Sequence, residues 1–369
     1  MEPIIDLDLE YGLVLEGGGA RGAYQIGAWK ALHEVGVKIN AIAGTSVGAL
    51  NGALICMGNV EKAEAIWEQM TYSKVMEVND EWMFRFFDKK LPFGDVLNHL
   101  VSRLKTGGID VSPLRQLIHE MVDEEKVRTC GIAFYLLAFS VDEMRELDLS
   151  IEDIPEGYLE DFLLASAYLL GFKRERLHGV RYMDGGVVNN VPTGALVKRG
   201  YKHIIEIRIY GPGREPRVKV PVGGLKLRVA PRVRLGSIID FSPKRSRQNI
   251  KIGYYDAMRM IYGLEGRIYY LEQTHEDEFY TECLTNLSEP KRAEVCFMLK
   301  IPITITDKGL FLALLEASAK RLRVQKYRIY QIDEFYEIVK SRYDELDLEE
   351  RDEQPKFMEI FFELEDRED

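Results

Sequence analysis

The sequence predicts an α/β fold: a three-layer sandwich with helices on both faces of a mostly parallel central sheet, followed by a largely helical C-terminal extension. Three observations lead there. Apolar runs of strand length alternate with helical patterns in the first half of the chain, the order a parallel sheet requires. Two strand-to-helix junctions are rich in glycine, at residues 17–22 and 44–48. From residue 243 onward, helical patterns dominate through residue 363.

Residues 12–16 (GLVLE) form a short, largely apolar run and read as a buried strand. Residues 23–35 follow as a helix, with Ile26, Trp29, Leu32 and Val35 recurring at helical spacing. Residues 41–43 end a second strand, and residues 47–57 open a helix of small side chains. The stretch from 60 to 125 is amphipathic and mostly helical, and Asp110-Val111-Ser112-Pro113 reads as a helix cap with proline in the first turn. Residues 132–139 are continuously apolar and read as a central strand. Residues 158–170 are helical, and residues 204–209 form a further strand leading into a Gly/Pro-rich loop at 211–224. The expected division is a catalytic domain over residues 1–270 and a mostly helical region with an acidic tail over 271–369.

The 369 residues are 46% hydrophobic, enough for a large core. Cys56, Cys130, Cys283 and Cys296 form no C-x-x-C pair, so free thiols in a reducing compartment are expected, and neither a metal nor a cofactor. The opening MEPIIDLDLEYG is acidic and lacks a basic segment followed by an apolar run, so no signal peptide is expected. The longest uncharged run, 39–59, is interrupted by four glycines and reads as strand, turn and helix rather than a membrane span. These features point to a cytoplasmic protein, with room for peripheral membrane contact. The net charge of −11 is uneven. Residues 341–369 hold 13 acidic and 4 basic residues and read as a solvated acidic end. Residues 202–251 hold 13 Lys or Arg against 3 Asp or Glu, suited to anionic lipid head groups or to pairing with the acidic tail. No nucleic-acid module is present.

Gly17-x-Gly19-x-x-Gly22 follows a strand and opens a helix, the local context of a dinucleotide fingerprint. That reading also needs an acid at the end of the second strand, to hold the ribose. Here Ile39-Asn40-Ala41-Ile42-Ala43 carries none and runs into Gly44-Thr45-Ser46-Val47-Gly48. G-x-S-x-G at a strand-to-helix turn is a nucleophile elbow. Gly44 and Gly48 leave room where strand and helix cross, and the helix from Val47 aims free N–H groups at the serine. Ser46 is therefore the candidate nucleophile. The backbone N–H groups of Gly17, Gly18 and Gly19 are candidates for an oxyanion hole, so the anion approached is one made during reaction.

The serine needs a base. His33, His99, His119, His178, His203 and His275 lie in no recognisable catalytic setting. Asp184 is the better candidate: Asp184-Gly185-Gly186 leads to Asn189-Asn190-Val191-Pro192, an organised loop, although a plain Asp-Gly hairpin turn has the same sequence signature. To act near neutral pH its carboxylate must be partly desolvated.

These elements resemble the patatin-like phospholipase family. The matching motifs are Gly17-Gly18-Gly19-Ala20-Arg21-Gly22, Gly44-Thr45-Ser46-Val47-Gly48 and Asp184-Gly185-Gly186, in the family's order. Ala165-Ser166-Ala167 and Asn189-Asn190-Val191-Pro192 match as well, and the likeness spans roughly residues 10–270. The resemblance implies a lipid acyl hydrolase with a patatin-like sandwich and a Ser46–Asp184 dyad that uses no histidine. Gly22, Gly44, Gly48, Gly185 and Gly186 would support the motifs, and Arg21 and Val47 would lie at the substrate, Arg21 either anchoring the loop or attracting a phosphate. The family usually carries a proline shortly after Ala-Ser-Ala where this chain has Leu170, a difference expected to bear on substrate shape. Two other readings stand beside the hydrolase: a non-catalytic lipid-binding protein on the same fold, and a dinucleotide-dependent oxidoreductase. Finally, Trp82, Phe84, Phe86 and Phe87 follow the elbow helix closely enough to cover a pocket mouth. They are spaced too tightly for one helical face, so the alternatives are core packing, which is favoured, and an exposed apolar rim.

Overall fold

The computed structural model describes residues 1–88, 110–168 and 176–364. The chain forms two compact units, Ile5–Met260 and Ile261–Asp369 with Met1–Ile4.

The first unit is built on one twisted sheet. Its strands are β1 (Glu10–Leu15), β2 (Lys38–Thr45), β3 (Ala133–Ser140), β4 (Arg145–Ser150), β5 (Arg176–Leu177), β6 (Val180–Asp184), β7 (His203–Ile207) and β8 (Leu225–Val229). Traced through hydrogen-bonded partners, the strands connect as β5-β6-β3-β2-β1-β7-β8, with β4 also paired to β3. β3, β2, β1, β7 and β8 are mutually parallel. Leu13, Val14 and Leu15 on β1 and Ala41, Ile42 and Ala43 on β2 are fully buried, as strands covered on both faces must be. The α/β class agrees with the sequence reading. The polar β4 and the short β5, β6 and β8 were not visible to it, because their burial patterns are mixed.

One junction positions everything that follows. β2 pairs with β3 from Ala133 to Leu137, and β6 pairs with β3 from Ala138 to Ser140. Because β4 pairs with Tyr135 through Ser140, it must occupy the other edge of β3. β2 and the antiparallel β6 therefore share one edge of β3 and run toward each other. β2 ends at Thr45 and β6 at Asp184, so Ser46 and Asp184 face across the gap.

Helices cover the sheet: α1 (Ala23–Val35), α2 (Val47–Cys56), α3 (Val60–Glu68), α4 (Tyr72–Val75), α5 (Asp80–Phe87), α6 (Ser112–Met121), α7 (Glu124–Thr129), α8 (Leu159–Ser166), α9 (Thr193–Val197) and α10 (Pro243–Tyr262). Asn59, Asn79 and Asp123 cap α3, α5 and α7 through their side chains. The four cysteines are free thiols, with Cys56 and Cys130 adjoining. Among the described residues, no helix is long and apolar enough to cross a membrane.

The second unit packs Tyr269, Tyr280, Leu310, Leu314, Leu315, Phe335 and Met358 into its own core. The buried Glu316 carboxylate accepts the N–H groups of Arg267, Ile268 and Tyr269 at 2.7–2.9 Å. The reading of residues 341–369 as a solvated end is corrected here for residues 356–364. Helix Lys356–Phe362 buries Phe357, Met358, Ile360, Phe361 and Phe362, because the apolar side chains between its acids outweigh the cost of ordering it.

Helices α1 and α10 cross closely enough to exclude side chains at the contact. A Cβ on Gly27 would lie 1.9 Å from the Ile250 carbonyl oxygen, and one on Gly253 1.9 Å from that of Tyr24. Backbone oxygens cannot swing aside as a side chain can. Gly27→Ala should therefore lose about 1–3 kcal/mol in denaturant unfolding even though alanine favours helix by about 1 kcal/mol. A gain in stability would show that the crossing is looser than drawn.

Candidate active site

The site lies where the parallel strands end, the usual ligand position in such sheets. Ser46 sits between β2 and α2 with φ 57° and ψ −126°, a backbone shape that only a sharp turn imposes on a residue with a side chain. The turn is possible because of its neighbours. A Cβ on Gly44 would sit 2.4 Å from the Gly48 carbonyl, and one on Gly48 2.3 Å from the Leu15 carbonyl oxygen. Glycine at both places lets α2 fold straight back over β1 and β2.

The strained serine is held from behind. Its N–H donates to Ser166 Oγ at 2.9 Å, and the Ser166 hydroxyl donates to the Leu137 carbonyl at 2.5 Å. Thr45 Oγ1 donates to the Asn189 carbonyl at 3.0 Å, tying the elbow to the loop after Asp184.

Asp184 is buried, 6% exposed. Burial raises its pKa to about 6, while the neighbouring Ser46 hydroxyl and the Gly186 N–H pull it back down. Oδ1 accepts the Gly186 N–H at 2.7 Å; Oδ2 is buried with no hydrogen bond closed to it. The Ser46 hydroxyl thus stands beside the carboxylate without being locked to it, as is common before substrate binds. Gly185 packs on the Leu137 carbonyl, and Gly186 lies between Asp184 and Asn190. None of the described histidines lines the pocket; His178 pairs with Asp161 on the exposed surface at 2.8 Å.

The glycine-rich loop lies against the elbow. Gly17 N–H donates to the Asn190 carbonyl at 3.1 Å and is therefore engaged. Among the hydrogen bonds of the described residues, none takes the N–H of Gly18 or Gly19. Gly22 packs against Val47 and Trp67. Arg21 donates to the carbonyls of Gly236 at 2.9 Å and Ile209 at 3.3 Å, and to that of Tyr210. Its guanidinium is thus bound to backbone, which favours anchoring over phosphate attraction.

Two side chains that the sequence reading gave no role brace this loop. Asn190 Nδ2 donates to the carbonyls of Gly17 at 3.1 Å and Gly211 at 3.2 Å. Glu16 is buried and accepts from Arg208 Nε at 2.9 Å and from the N–H groups of Ile209 at 2.7 Å and Tyr210 at 3.0 Å. An acid ending an apolar strand, and an arginine ending another, were the only signals; nothing local pairs Glu16 with Arg208 across 192 residues.

An apolar pocket opens beside Ser46. Val47 and Leu50 of α2, Trp67 and Met70, Val75, Leu114, Leu117 and Met121 of α6, Ala167 and Phe241 line it, and Gly19 reaches its edge. Asn51 is its one amide, spent on the Gly22 carbonyl at 3.0 Å, Gln25 at 2.8 Å and Trp67 Nε1 at 2.9 Å. The favoured core placement of the four aromatics of α5 is corrected. Met83 takes the buried position, Phe84 is 39% exposed, and Trp82, Phe86 and Phe87 are half-buried. Their rings meet one another and Tyr72 instead: Trp82 stacks on Phe86, Phe87 stacks on Tyr72 at 5.7 Å, and Phe84 meets Tyr72 edge-on at 5.2 Å. Leu170 and residues 89–109 lie outside the described residues.

The chain is similar to Neuropathy target esterase sws of Drosophila melanogaster, 28% identical over 207 residues, 54% of this chain and 13% of that protein. It is likewise 28% identical to Patatin-like phospholipase domain-containing protein 6 of Homo sapiens over 200 residues, 53% of this chain and 13% of that one. The match thus spans about an eighth of these relatives' length. Among solved structures, VipD from Legionella pneumophila aligns over 96% of this chain and 90% of its own, with a TM-score of 0.42 and 12% identity. The family model for patatin-like phospholipase matches residues 13–197, from β1 through α9 and including both Ser46 and Asp184. The chain belongs to the patatin-like phospholipase family.

Proposed function

We propose that this chain is a serine acyl hydrolase that cleaves fatty-acyl esters of phospholipids or lysophospholipids, with Ser46 as nucleophile and Asp184 as its base. The observation that carries the reading is a buried carboxylate with one free oxygen, facing a serine in a strained turn at the mouth of an apolar pocket. The catalytic machinery is assigned to the unit Ile5–Met260, with the unit that begins at Ile261 as an appended, mostly helical region.

The chemistry follows from the geometry. Ser46 Oγ attacks the ester carbonyl as its proton passes to Asp184 Oδ2. The negative charge that develops on the carbonyl oxygen is met by the N–H groups of Gly18 and Gly19 and by the N-terminal end of α2, which starts at Val47. Gly17 drops out as a donor because Asn190 holds its N–H. Asp184 then returns the proton to the leaving alcohol. Water, deprotonated by the same carboxylate, hydrolyses the acyl-enzyme. The apolar pocket suits an acyl chain, and Arg21 keeps the glycine loop in place.

Labelling with a fluorophosphonate probe, with parallel assays on a soluble nitrophenyl ester and a phospholipid, tests the reading. Ser46→Ala should abolish labelling and lower turnover at least about 1000-fold with the fold intact. Labelling elsewhere, or none in the unaltered protein, would favour a lipid-binding role. Cofactor fluorescence without labelling would favour the oxidoreductase.

Asp184→Asn should also abolish turnover. Its effect on stability runs the other way. The folded pKa is raised, so between about pH 4 and 6 the unfolded chain ionises before the folded one and stability falls, remaining lower above pH 6; the asparagine relieves this. The variant should be more stable than the parent at pH 7, by on the order of 1–3 kcal/mol, and the difference should vanish near pH 4. In the unaltered protein kcat/KM should fall about tenfold per pH unit below about 6. A flat profile down to pH 4 would remove Asp184 from the base role.

Ser166→Ala leaves the Ser46 N–H buried without an acceptor, which costs about 1–3 kcal/mol. Turnover on soluble and lipid esters should fall together with little change in KM. Loss of stability with full turnover would make Ser166 merely structural.

A further inference from the structure

Because β1, β2, β7 and β8 are parallel, the glycine loop, the elbow, Tyr210 and residues 230–242 all leave the sheet at one edge. The last of these segments is part of the site's wall. Ala20 N–H donates to the Ile238 carbonyl at 2.8 Å, Arg21 holds the Gly236 carbonyl, and Phe241 lines the pocket. Helix α10 begins directly after it. Lys244, Arg247 and Lys251 are exposed on α10 at spacings of three and four, hence on one face. Arg234 is exposed just before them. Among the described residues none of these four cations has an ion pair.

The only carboxylate between residues 230 and 251 is Asp240. It is buried and spent on Tyr72 Oη at 2.8 Å and Arg245 Nε at 3.2 Å. No carboxylate of this segment is therefore left to offset the positive charge of the face, and the Glu34 carboxylate of α1 is taken up by Tyr254 Oη, one turn beyond Lys251, at 2.7 Å. Apolar side chains lie beside it: Val233 is 49% exposed, Tyr210 52%, and Phe84 39%. Phe84 is fixed to the same place because its ring meets Tyr72 edge-on while Tyr72 holds Asp240.

We propose that this pocket-side face docks on an anionic phospholipid bilayer, with the exposed aromatic and aliphatic side chains at the head-group boundary and Arg234, Lys244, Arg247 and Lys251 against lipid phosphates and other anionic head groups. The inference rests on the acyl-hydrolase reading for its purpose. The cations of α10 are spread over roughly 10 Å of helix without converging on a point, which matches a plane of head groups better than one phosphate. Apolar side chains flanked by cations are the composition that holds a protein at such a surface.

The test uses the full chain carrying Ser46→Ala, so that lipid is bound but not consumed. Co-sedimentation is measured with vesicles of phosphatidylcholine alone and with vesicles about one-third phosphatidylglycerol. Binding should be strong only to the anionic vesicles and should collapse in about 0.5 M salt. The triple change Lys244→Gln, Arg247→Gln and Lys251→Gln should lower partitioning on the order of 100-fold, the size expected for three basic side chains near an anionic surface. Equal binding to both vesicle types, or a triple variant that binds undiminished, overturns the proposal. So does failure to bind anionic vesicles at all. With Ser46 intact, the triple variant should hydrolyse the soluble ester at the parental rate, which shows that it is folded. If the unaltered chain hydrolyses no ester, the acyl-hydrolase reading fails, and sedimentation alone still decides the docking face.

Discussion

Two strands meeting head-on along one edge of β3 are the constraint on which the site depends. The backbone of β3 gives its hydrogen bonds to β2 up to Leu137 and to β6 from Ala138. At that change of partner neither strand can continue, so one chain turns out at Ser46 and the other at Asp184. The gap is closed by small or hydrogen-bonding groups: Gly185 lies on the Leu137 carbonyl and Ser166 bonds it. A strained residue persists only where its surroundings over-determine it. Here a backbone N–H bond, two flanking glycines and the start of α2 do so together.

The electrostatics follow from the same placement. Strands covered on both faces bring Asp184 to a depth where its charge is poorly solvated, and its pKa rises to about 6. A direct serine–carboxylate pair gains from this, since a carboxylate of ordinary pKa is a weak base near neutral pH. Glu16 answers the opposite demand. It is as deeply buried, yet Arg208 and two backbone N–H groups surround it. Arg208 in turn binds Glu215 through both terminal nitrogens, at 2.8 and 2.7 Å. Glu16 thus acts as a rigid post for the loop after β7 and, through Asn190, for the glycine loop. Of two buried acids in one site, the one with an open oxygen suits chemistry and the saturated one suits architecture.

Much of this was legible in order along the chain. Ser46 and its glycines stand out because a tight strand-to-helix turn tolerates few residue types, and each requirement is local. The glycine loop is legible for the same reason. Its division of labour is not: Gly17, Gly18 and Gly19 look alike in sequence, and only the fold shows that Asn190 takes the N–H of the first. The aromatics of α5 show the same limit. Their spacing excluded a single buried face, but which residue turned inward depended on what lay beneath, and Met83 filled that place.

The sequence by itself determined the alternation of strands and helices, the two glycine turns, the serine at the elbow and the Asp-Gly-Gly loop. Those features come from steric rules acting over a few residues. The tertiary structure alone decided the rest. It brought Asp184 to Ser46 across 138 residues, set Ser166 behind the serine, spent Arg21 on backbone carbonyls, and folded the apolar side chains of the acidic end into a second core. Each of these depends on which strand takes which edge of a neighbour and on how deeply a group is then buried, and neither quantity is written in any short stretch of residues.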